Sequence, residues 1–333
     1  MIFVHQFEQR QDATCEVTPL ARRQLGAGEP IPPQTVWVDL VEPTREERRA
    51  VEAFAGLALP TPEEMDEIEP SELLYADGGT RYMTGRLLYQ SKSRHPQIAN
   101  VSFIRKGRVL VTVRYDDPKP FQIFSQRAQH SGVAANDPEA VFVGLIDAIV
   151  GRAAEILRNA GDKIDALSEN VFERAAGERH PQTIEYRETL ATLGREGARI
   201  SKARESLVSI ELMLRFASPT EPGKEGDEPP GHIGTMLRDI ASLETHTEYL
   251  SGKVQFLLDT TLGLVNVSQN DIVKILSVIM VVFTPPTFIA SMYGMNFKNM
   301  PEYDWSYGYQ YGLVLMLLSA VLPYLFFRWK KWL

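Results

Sequence analysis

Two long apolar stretches stand at the C-terminal end of the 333-residue chain. Residues 275–297 and residues 305–327 contain no Asp, Glu, Lys or Arg, and each stretch is 23 residues long. About 20 apolar residues in an α-helix, rising about 1.5 Å per residue, cross the roughly 30 Å hydrocarbon core of a bilayer. The pattern therefore predicts two membrane-spanning helices joined by a short polar segment.

The first 137 residues alternate between apolar and polar positions and carry helix-start signals between the alternating stretches. Thr44 and Thr61 are each followed three residues later by Glu, the capping-box pattern that satisfies free amides at a helix N-terminus. We therefore expect an α+β cytoplasmic domain at residues 1–137, a small sheet with packed helices. The predicted strands are residues 1–7, 35–40, 82–89, 101–105 and 108–115.

Residues 138–230 repeat apolar side chains at spacings of three and four, the period of amphipathic helices. The pattern predicts two long antiparallel helices with a break near residues 177–181. A loop rich in Pro, Gly and charge follows at residues 218–231.

No proline lies between Gly231 and Thr284, so a single helix on the order of 80 Å long is expected there. Residues 231–274 form its stalk, and an apolar seam along the stalk suggests a homo-oligomer around a shared axis. The alternative is that the helix packs only against its own domain. The seam consists of Met236, Ile240, Leu243, Leu250, Val254, Leu257 and Leu264, with Thr247 and Thr261 in the remaining positions.

The basic residues indicate the orientation of the two spans. Lys274 precedes the first span, and Arg328, Lys330 and Lys331 follow the second. Positive charges favour the cytoplasmic side, so both termini should be cytoplasmic in a multi-pass protein of the cell inner membrane. The expected segments are the first transmembrane helix at residues 275–297, an outer loop at 298–310, the second transmembrane helix at 311–328 and a basic tail at 329–333.

Composition narrows the possible functions. The net charge of −8 argues against nucleic acid as a partner, and the single cysteine, Cys15, allows no intrachain disulfide. The six histidines lack metal-ligand spacing, and no phosphate-binding Gly-x-x-x-x-Gly-Lys loop occurs. An enzyme tethered to the membrane is therefore disfavoured, and no organic cofactor is expected.

The polar segment between the spans carries the most specific motif. Tyr293-Gly-Met-Asn296 follows the first span directly, Met300-Pro-Glu302 comes next, and Lys330-Lys-Trp-Leu333 closes the chain. Together with Phe283-Thr-Pro-Pro-Thr-Phe288, this layout resembles the CorA family of magnesium channels. The resemblance is strong over residues 236–333 and weaker over the N-terminal domain.

The resemblance implies a homopentamer in the lipid bilayer, with a funnel-shaped cytoplasmic domain and a pore lined by the first span. It also implies an outer entrance formed by Gly294, Met295 and Asn296. Mg²⁺ dehydrates reluctantly, so neutral amide oxygens of an Asn296 ring would accept hydrogen bonds from its bound waters. Co²⁺ and Ni²⁺ are expected to pass as similar hydrated ions. The simpler alternative is that Asn296 only caps the span.

Family positions carried over to this chain, together with helical spacing, give one pore-lining face. Thr284 and Thr287 offer hydroxyl groups, although a Thr in a span often bonds its own helix instead. Leu276 and Met280 would form an apolar constriction able to gate by excluding water. Glu302 and Asp304 in the outer loop would attract cations. The pore-lining set is Asn270, Val273, Leu276, Met280, Thr284 and Thr287.

Regulation is also implied by the resemblance, because in this family intracellular Mg²⁺ binds between cytoplasmic domains and closes the pore. Carboxylates facing each other across a subunit interface would serve this purpose. The stalk candidates are Asp239, Glu244 and Asp259, with partners in residues 63–67. The alternative function is a ZntB-like zinc transporter. The Met-containing triplet, the Met-Pro-Glu loop and the lack of His or Cys after His246 argue against it.

Overall fold

The computed structural model describes residues 1–7, 17–26, 28–91, 93, 96–131, 133–134, 137–176, 183–218, 231–295 and 300–330. The chain divides into two compact units. The first unit comprises Met1–Asn170 and Glu188–Leu258, and the second comprises Val171–Arg187 and Asp259–Leu333.

A seven-stranded mixed sheet is the centre of the first unit, in the order β3-β1-β4-β8-β7-β6-β5. All neighbouring strands are antiparallel except β4 and β8, which run parallel. A separate two-stranded pair joins β2 to β9. The strands are β1 Ile2–Phe7, β2 Val17–Thr18, β3 Leu20–Gln24, β4 Trp37–Val41, β5 Leu74–Asp77, β6 Thr80–Tyr89, β7 Gln97–Lys106, β8 Val109–Arg114 and β9 Val133–Ala134.

The five predicted strands are present as β1, β4, β6, β7 and β8. Gly107 turns the chain between β7 and β8 with a φ of 53°, a backbone conformation that glycine adopts without a steric penalty. Strands β3 and β5 were not predicted. Both lie at sheet edges and are mostly exposed, so their sequences lack the apolar alternation of a half-buried strand.

Eight α-helices and one 3₁₀ helix are present in the described residues. The α-helices are α1 Arg45–Ala55, α2 Pro62–Met65, α3 Pro70–Leu73, α4 Lys119–Ser131, α5 Pro138–Ala176, α6 Thr183–Ala217, α7 Gly231–Tyr293 and α8 Gly308–Trp329.

Both predicted capping boxes start helices. The hydroxyl of Thr44 accepts a hydrogen bond from the backbone N–H of Glu47, whose carboxylate accepts one from the N–H of Thr44. Thr61 and Glu64 repeat the arrangement at α2. These reciprocal bonds satisfy two amides that the helix itself leaves without partners.

Each face of the sheet is buried under helices. On one face, Val51 of α1 and Met65 of α2 pack with Leu40, Ile104 and Val113 of the strands. On the other face, a larger core joins strand residues to α4, α5, α6 and α7. Burial of both faces explains why the central strands are almost continuously apolar.

A buried ion pair links the two parallel strands. Asp39 on β4 accepts hydrogen bonds from Nε of Arg114 at 3.1 Å and from Nη2 at 2.9 Å. Thr112 donates to Asp39 at 2.8 Å and accepts from the indole N–H of Trp37 at 3.0 Å. A buried charge without such partners would be costly, so the pair and its network constrain the register of β4 against β8.

The stalk part of α7 corrects one interpretation of the sequence. The apolar seam predicts a contact between identical subunits, but Met236, Ile240, Leu250 and Leu257 are buried in the core of the chain's own unit. The alternative, a helix packed against its own domain, therefore accounts for these four positions. Heptad-like spacing identifies a buried face, but it does not specify which partner covers that face.

The second unit contains the apolar C-terminal part of α7 and the helices that follow it. Helix α7 continues to Tyr293, a 3₁₀ helix spans Pro301–Asp304, and α8 begins at Gly308. Within the described residues, α7 and α8 are the two helices long and apolar enough to cross a membrane. Almost none of their apolar length is buried inside the chain, unlike the core helices of the first unit.

Candidate functional site

The last third of α7 presents its predicted pore-lining residues outward. Val273, Leu276 and Met280 are each at least half exposed, at 59%, 50% and 57%. Asn270, Thr284 and Thr287 are exposed as well. Exposed polar groups on a helix that crosses a membrane face a neighbouring helix or water, because lipid offers them no hydrogen bonds.

The two predicted pore threonines both bond to their own helix. The hydroxyl of Thr284 donates to the carbonyl of Met280 at 2.6 Å, and that of Thr287 donates to the carbonyl of Phe283 at 2.7 Å. Ser277, which sequence analysis did not select, makes the same bond to Val273 at 2.7 Å. A hydroxyl has one hydrogen and two lone pairs, so each oxygen keeps acceptor capacity after its hydrogen is used.

Two consecutive prolines lie inside α7 next to Thr284. Pro285 and Pro286 have no N–H, so the carbonyls of Val281 and Val282 lose their usual helical donors. The helix nevertheless continues unbroken to Tyr293. The prolines therefore weaken the hydrogen-bond ladder inside the span while leaving it helical.

Gly294 ends the helix at the motif. Its N–H donates to the carbonyls of Ala290 at 3.0 Å and Ser291 at 3.2 Å. A Cβ atom at this position would lie 3.3 Å from the carbonyl oxygen of Ala290, which is tighter than most Cβ contacts. Gly294 does not have a positive φ angle, so glycine is not needed here for a left-handed turn. Its lack of a side chain instead lets the backbone lie close to the carbonyl of Ala290.

Met295 is exposed directly after Gly294, whereas Asn296 lies outside the described residues. In the outer loop, the backbone of Glu302 belongs to the 3₁₀ helix, but its side chain also lies outside the described part of the chain. Asp304 is exposed at the end of that helix. The roles of Asn296 and Glu302 therefore stay predictions from the sequence.

Charged side chains lie just before the first apolar stretch and at the end of the second. Nζ of Lys274 lies 3.0 Å from Oδ1 of Asp271, and both residues lie in the helical turn just before the uncharged stretch. At the end of α8, the ammonium of Lys330 lies 5.8 Å from the ring centre of Trp329. Such aromatic and basic residues are typical of membrane interfaces.

The three stalk carboxylates selected for regulation lie on α7 but are not together. Asp239 and Asp259 are exposed, and Glu244 is partly buried. No group of three His, Cys, Asp or Glu side chains within the residues that the structure describes is arranged to hold a metal ion. A single chain therefore does not assemble a complete regulatory site from them.

Glu244 nevertheless has an unusual environment. Its Oε1 is buried and has no hydrogen-bond partner among the described residues. Burial raises the pKa of Glu244, and the negative charge of Glu211 on α6 raises it further, against an opposing effect of Arg204. Sequence analysis missed Glu211 because it lies 33 positions away on another helix, where spacing along the chain gives no signal.

The fold and these helices define a class of protein: a sheet-and-helix domain followed by two C-terminal helices long and apolar enough to cross a membrane. Residues 33–331 match the family described as "CorA-like Mg2+ transporter protein". The chain belongs to the CorA family, and it is a transporter and not an enzyme.

Curated relatives support this assignment over most of their length. The chain is 33% identical over 303 residues to the magnesium transport protein CorA of Pectobacterium atrosepticum, covering 90% of this chain and 92% of the relative. It is 33% identical over 318 residues to the protein of the same name from Escherichia coli K12, covering 94% and 96%.

Solved structures confirm the predicted fold. The complete CorA magnesium transporter of Methanocaldococcus jannaschii superimposes with a TM-score of 0.72 at 17% identity, covering 100% of this chain and 99% of that one. The full-length CmaX protein gives 0.63 at 14% identity, covering 96% and 90%. The ZntB cytoplasmic domain of Vibrio parahaemolyticus gives only 0.51 at 12% identity, covering 79% and 97%.

Proposed function

We propose that this protein is a magnesium channel that admits hydrated Mg²⁺ passively, down its electrochemical gradient. The observation that carries the proposal is the continuous helix α7, whose exposed, uncharged end places polar groups before Gly294-Met295-Asn296. A membrane potential of 100 mV contributes about 4.6 kcal/mol for a divalent cation, so no ATP site is needed.

Selection is assigned to neutral oxygen acceptors. The amide of Asn296, one per subunit, would accept hydrogen bonds from the waters of a hydrated Mg²⁺ ion at the outer entrance. Below it, Thr284 and Thr287 have already donated their hydroxyl hydrogens to helix carbonyls. Their oxygens are left as acceptors, which suits a cation whose coordinated waters present only hydrogens. Hydrated Co²⁺ and Ni²⁺ are expected to pass in the same way.

A homo-oligomer, a pentamer as in the sequence-based expectation, provides the central pore. The buried seam does not support it, but other apolar side chains of α7 do. Tyr249, Phe256, Leu262 and Val267 are each at least half exposed in the single chain. Large exposed apolar side chains on a helix favour contact with another protein surface or lipid. We place both termini in the cytoplasm and the spans in the inner membrane.

Gating is assigned to two parts of α7. Leu276 and Met280 from all subunits would form an apolar constriction that excludes water when the pore is closed. Intracellular Mg²⁺ would favour this closed state by binding carboxylates between subunits. Among Asp239, Glu244 and Asp259, the strongest candidate is Glu244. Burial and the charge of Glu211 raise its pKa, and its Oε1 has no hydrogen-bond partner among the described residues, so a bound cation would stabilise its charged form.

The testing experiment is ion uptake into proteoliposomes that contain a Mg²⁺-sensitive dye. Wild type and Asn296→Ala are compared at matched incorporation, with and without an inside-negative potential. Uptake that rises with the potential and collapses in the variant supports the proposal. Entry of Zn²⁺ without Mg²⁺ favours the zinc-transporter alternative, and no divalent flux in either protein rejects a channel.

A further inference from the structure

A small pocket lies on the first unit, at the end of the sheet where strands β6 and β8 finish. Strands β6 and β8 both run antiparallel to β7. They therefore run in the same direction, and their carboxyl ends lie at the same end of the sheet. The pocket has a volume of about 280 Å³ and lies where these two strands end. It is lined by Leu88, Tyr89, Gln90, Ser91, Ser93, Asp117, Lys119, Pro120 and Arg152.

Two cationic side chains line this pocket. The guanidinium of Arg152 on α5 is largely buried, with its side chain 11% exposed, and it donates to Ser91 Oγ at 3.4 Å while pairing with Glu155. Lys119, at the first position of α4, is exposed and has no ion-pair partner among the residues that the structure describes. Its positive charge is therefore available to a ligand.

The one acidic side chain that lines the pocket has donors on both of its oxygens, and it shares the charge of Arg114 with Asp39. Asp117 accepts hydrogen bonds on both carboxylate oxygens, from Arg114 on one and from Gln122 on the other. It therefore has little capacity to hold a cation. A carboxylate whose oxygens are both occupied opposes an anion less than a free one does.

Hydroxyl and amide groups complete the lining. Gln90 adopts a left-handed conformation, with φ of 48°, and the N–H of Ser93 closes the turn by donating to its carbonyl at 2.8 Å. The turn brings Ser91 beside Arg152. Its hydroxyl accepts from Arg152, so its hydrogen remains able to donate to an anion.

We propose that this pocket binds a phosphate group, either free phosphate or the phosphate of a small monoester. Arg and Lys donors recognise phosphate through charge-assisted hydrogen bonds, and a phosphate monoester carries about −1.5 to −2 charges at pH 7. The volume is below the range of about 300–1,000 Å³ typical of drug-sized ligands, so the ligand is small. The proposal is independent of ion transport by the spans.

The test is a binding titration of the full-length protein in detergent, at low ionic strength. Isothermal calorimetry with inorganic phosphate and with adenosine monophosphate measures the two sources separately. We expect saturable binding of at least one, weakened about fivefold or more by Lys119→Gln, which removes one charge-assisted bond. Tighter binding of the ester identifies a monoester as the ligand, and tighter binding of phosphate identifies the free ion.

Controls separate this result from nonspecific charge effects. Arg215→Gln removes an exposed cation from α6 that pairs with Glu211, and it should leave the affinity unchanged. Lys119 is exposed, so its substitution should not disturb folding. Arg152→Gln is a second variant, which tests the largely buried guanidinium of the pocket. Absence of saturable binding, or equal weakening by Arg215→Gln and Lys119→Gln, would overturn the proposal.

Discussion

The hydroxyl of Thr284 donates to the carbonyl of Met280 at 2.6 Å, one residue before the first of two prolines in the span. This bond uses the only hydrogen of the hydroxyl and leaves its oxygen as an acceptor. We therefore expect Thr284→Val, which keeps the branched shape but has no oxygen, to reduce Mg²⁺ uptake about three- to tenfold, the effect of one lost hydrogen bond. Thr284→Ser should retain uptake, and equal uptake by the Val and Ser variants in proteoliposomes would contradict the role.

Gly294→Ala tests the close approach at the end of α7. The added Cβ would lie 3.3 Å from the carbonyl oxygen of Ala290, and backbone atoms yield less easily than a flexible side chain. The residues after Gly294 must shift, so we expect a marked loss of Mg²⁺ uptake with normal expression. Gly312→Ala in α8 is the matched control, because nothing lies within 4 Å of its added Cβ. A Gly294→Ala variant as active as this control would contradict the prediction.

Glu244→Gln tests regulation by internal Mg²⁺. The substitution keeps the size of the side chain but removes the charge that a regulatory cation would neutralise. We expect uptake by this variant to continue at internal Mg²⁺ concentrations that stop the wild type. Dye-loaded proteoliposomes with graded internal Mg²⁺ measure the half-inhibiting concentration. Glu248→Gln, which changes an exposed carboxylate on the same helix that pairs with Arg204, is the comparison. An unchanged half-inhibiting concentration for Glu244→Gln removes this residue from the proposal.

Asp39→Ala should destabilise the first unit strongly. It leaves the buried guanidinium of Arg114, whose side chain is 3% exposed, without its main partner. Breaking a buried pair in this way costs about 3–5 kcal/mol. Denaturant unfolding of the full-length protein, followed by circular dichroism, measures the change in free energy. Asp147→Asn breaks the half-exposed pair with Arg127 and should cost less than about 1 kcal/mol. Equal losses in both variants would show that burial does not decide the cost.

His5 makes the stability of the first unit depend on pH. Its ring stacks on Trp37 with ring centres 3.9 Å apart, and burial, with added repulsion from Arg22, lowers its pKa from 6.5 to about 3. The folded state therefore holds a neutral imidazole, whereas the unfolded chain takes up a proton as the pH falls below 6.5. The resulting stabilisation is complete above pH 6.5 and is lost progressively toward pH 3, by about 1.4 kcal/mol per pH unit.

The variant His5→Phe keeps an aromatic ring beside Trp37 but removes the titrating group. Between pH 6.5 and pH 5, the free energy of unfolding of the wild type should fall by about 2 kcal/mol more than that of the variant. Urea unfolding at the two pH values gives this difference. The same pH dependence in both proteins would show that other groups cause it.

Features that depend on residues close together in the sequence could be predicted from the sequence alone. The capping boxes at Thr44 and Thr61 involve residues three positions apart, and both form as predicted. The two apolar helices follow from composition and length, because a lipid environment selects for hydrophobicity over a fixed distance. The motif after Tyr293 and the layout around it pointed to the family, which the matches to known proteins confirm.

Only the tertiary structure decided which distant residues meet. Asp39 and Arg114 are separated by 75 positions, and no spacing rule predicts that parallel pairing of β4 and β8 brings them together. The seam of α7 had the spacing of an oligomer contact, yet residues such as Ile240 are buried in the chain's own core. Sequence periodicity reports that a face is covered, because burial requires apolar side chains whatever covers them. The identity of the covering surface depends on long-range packing, which the three-dimensional fold alone specifies.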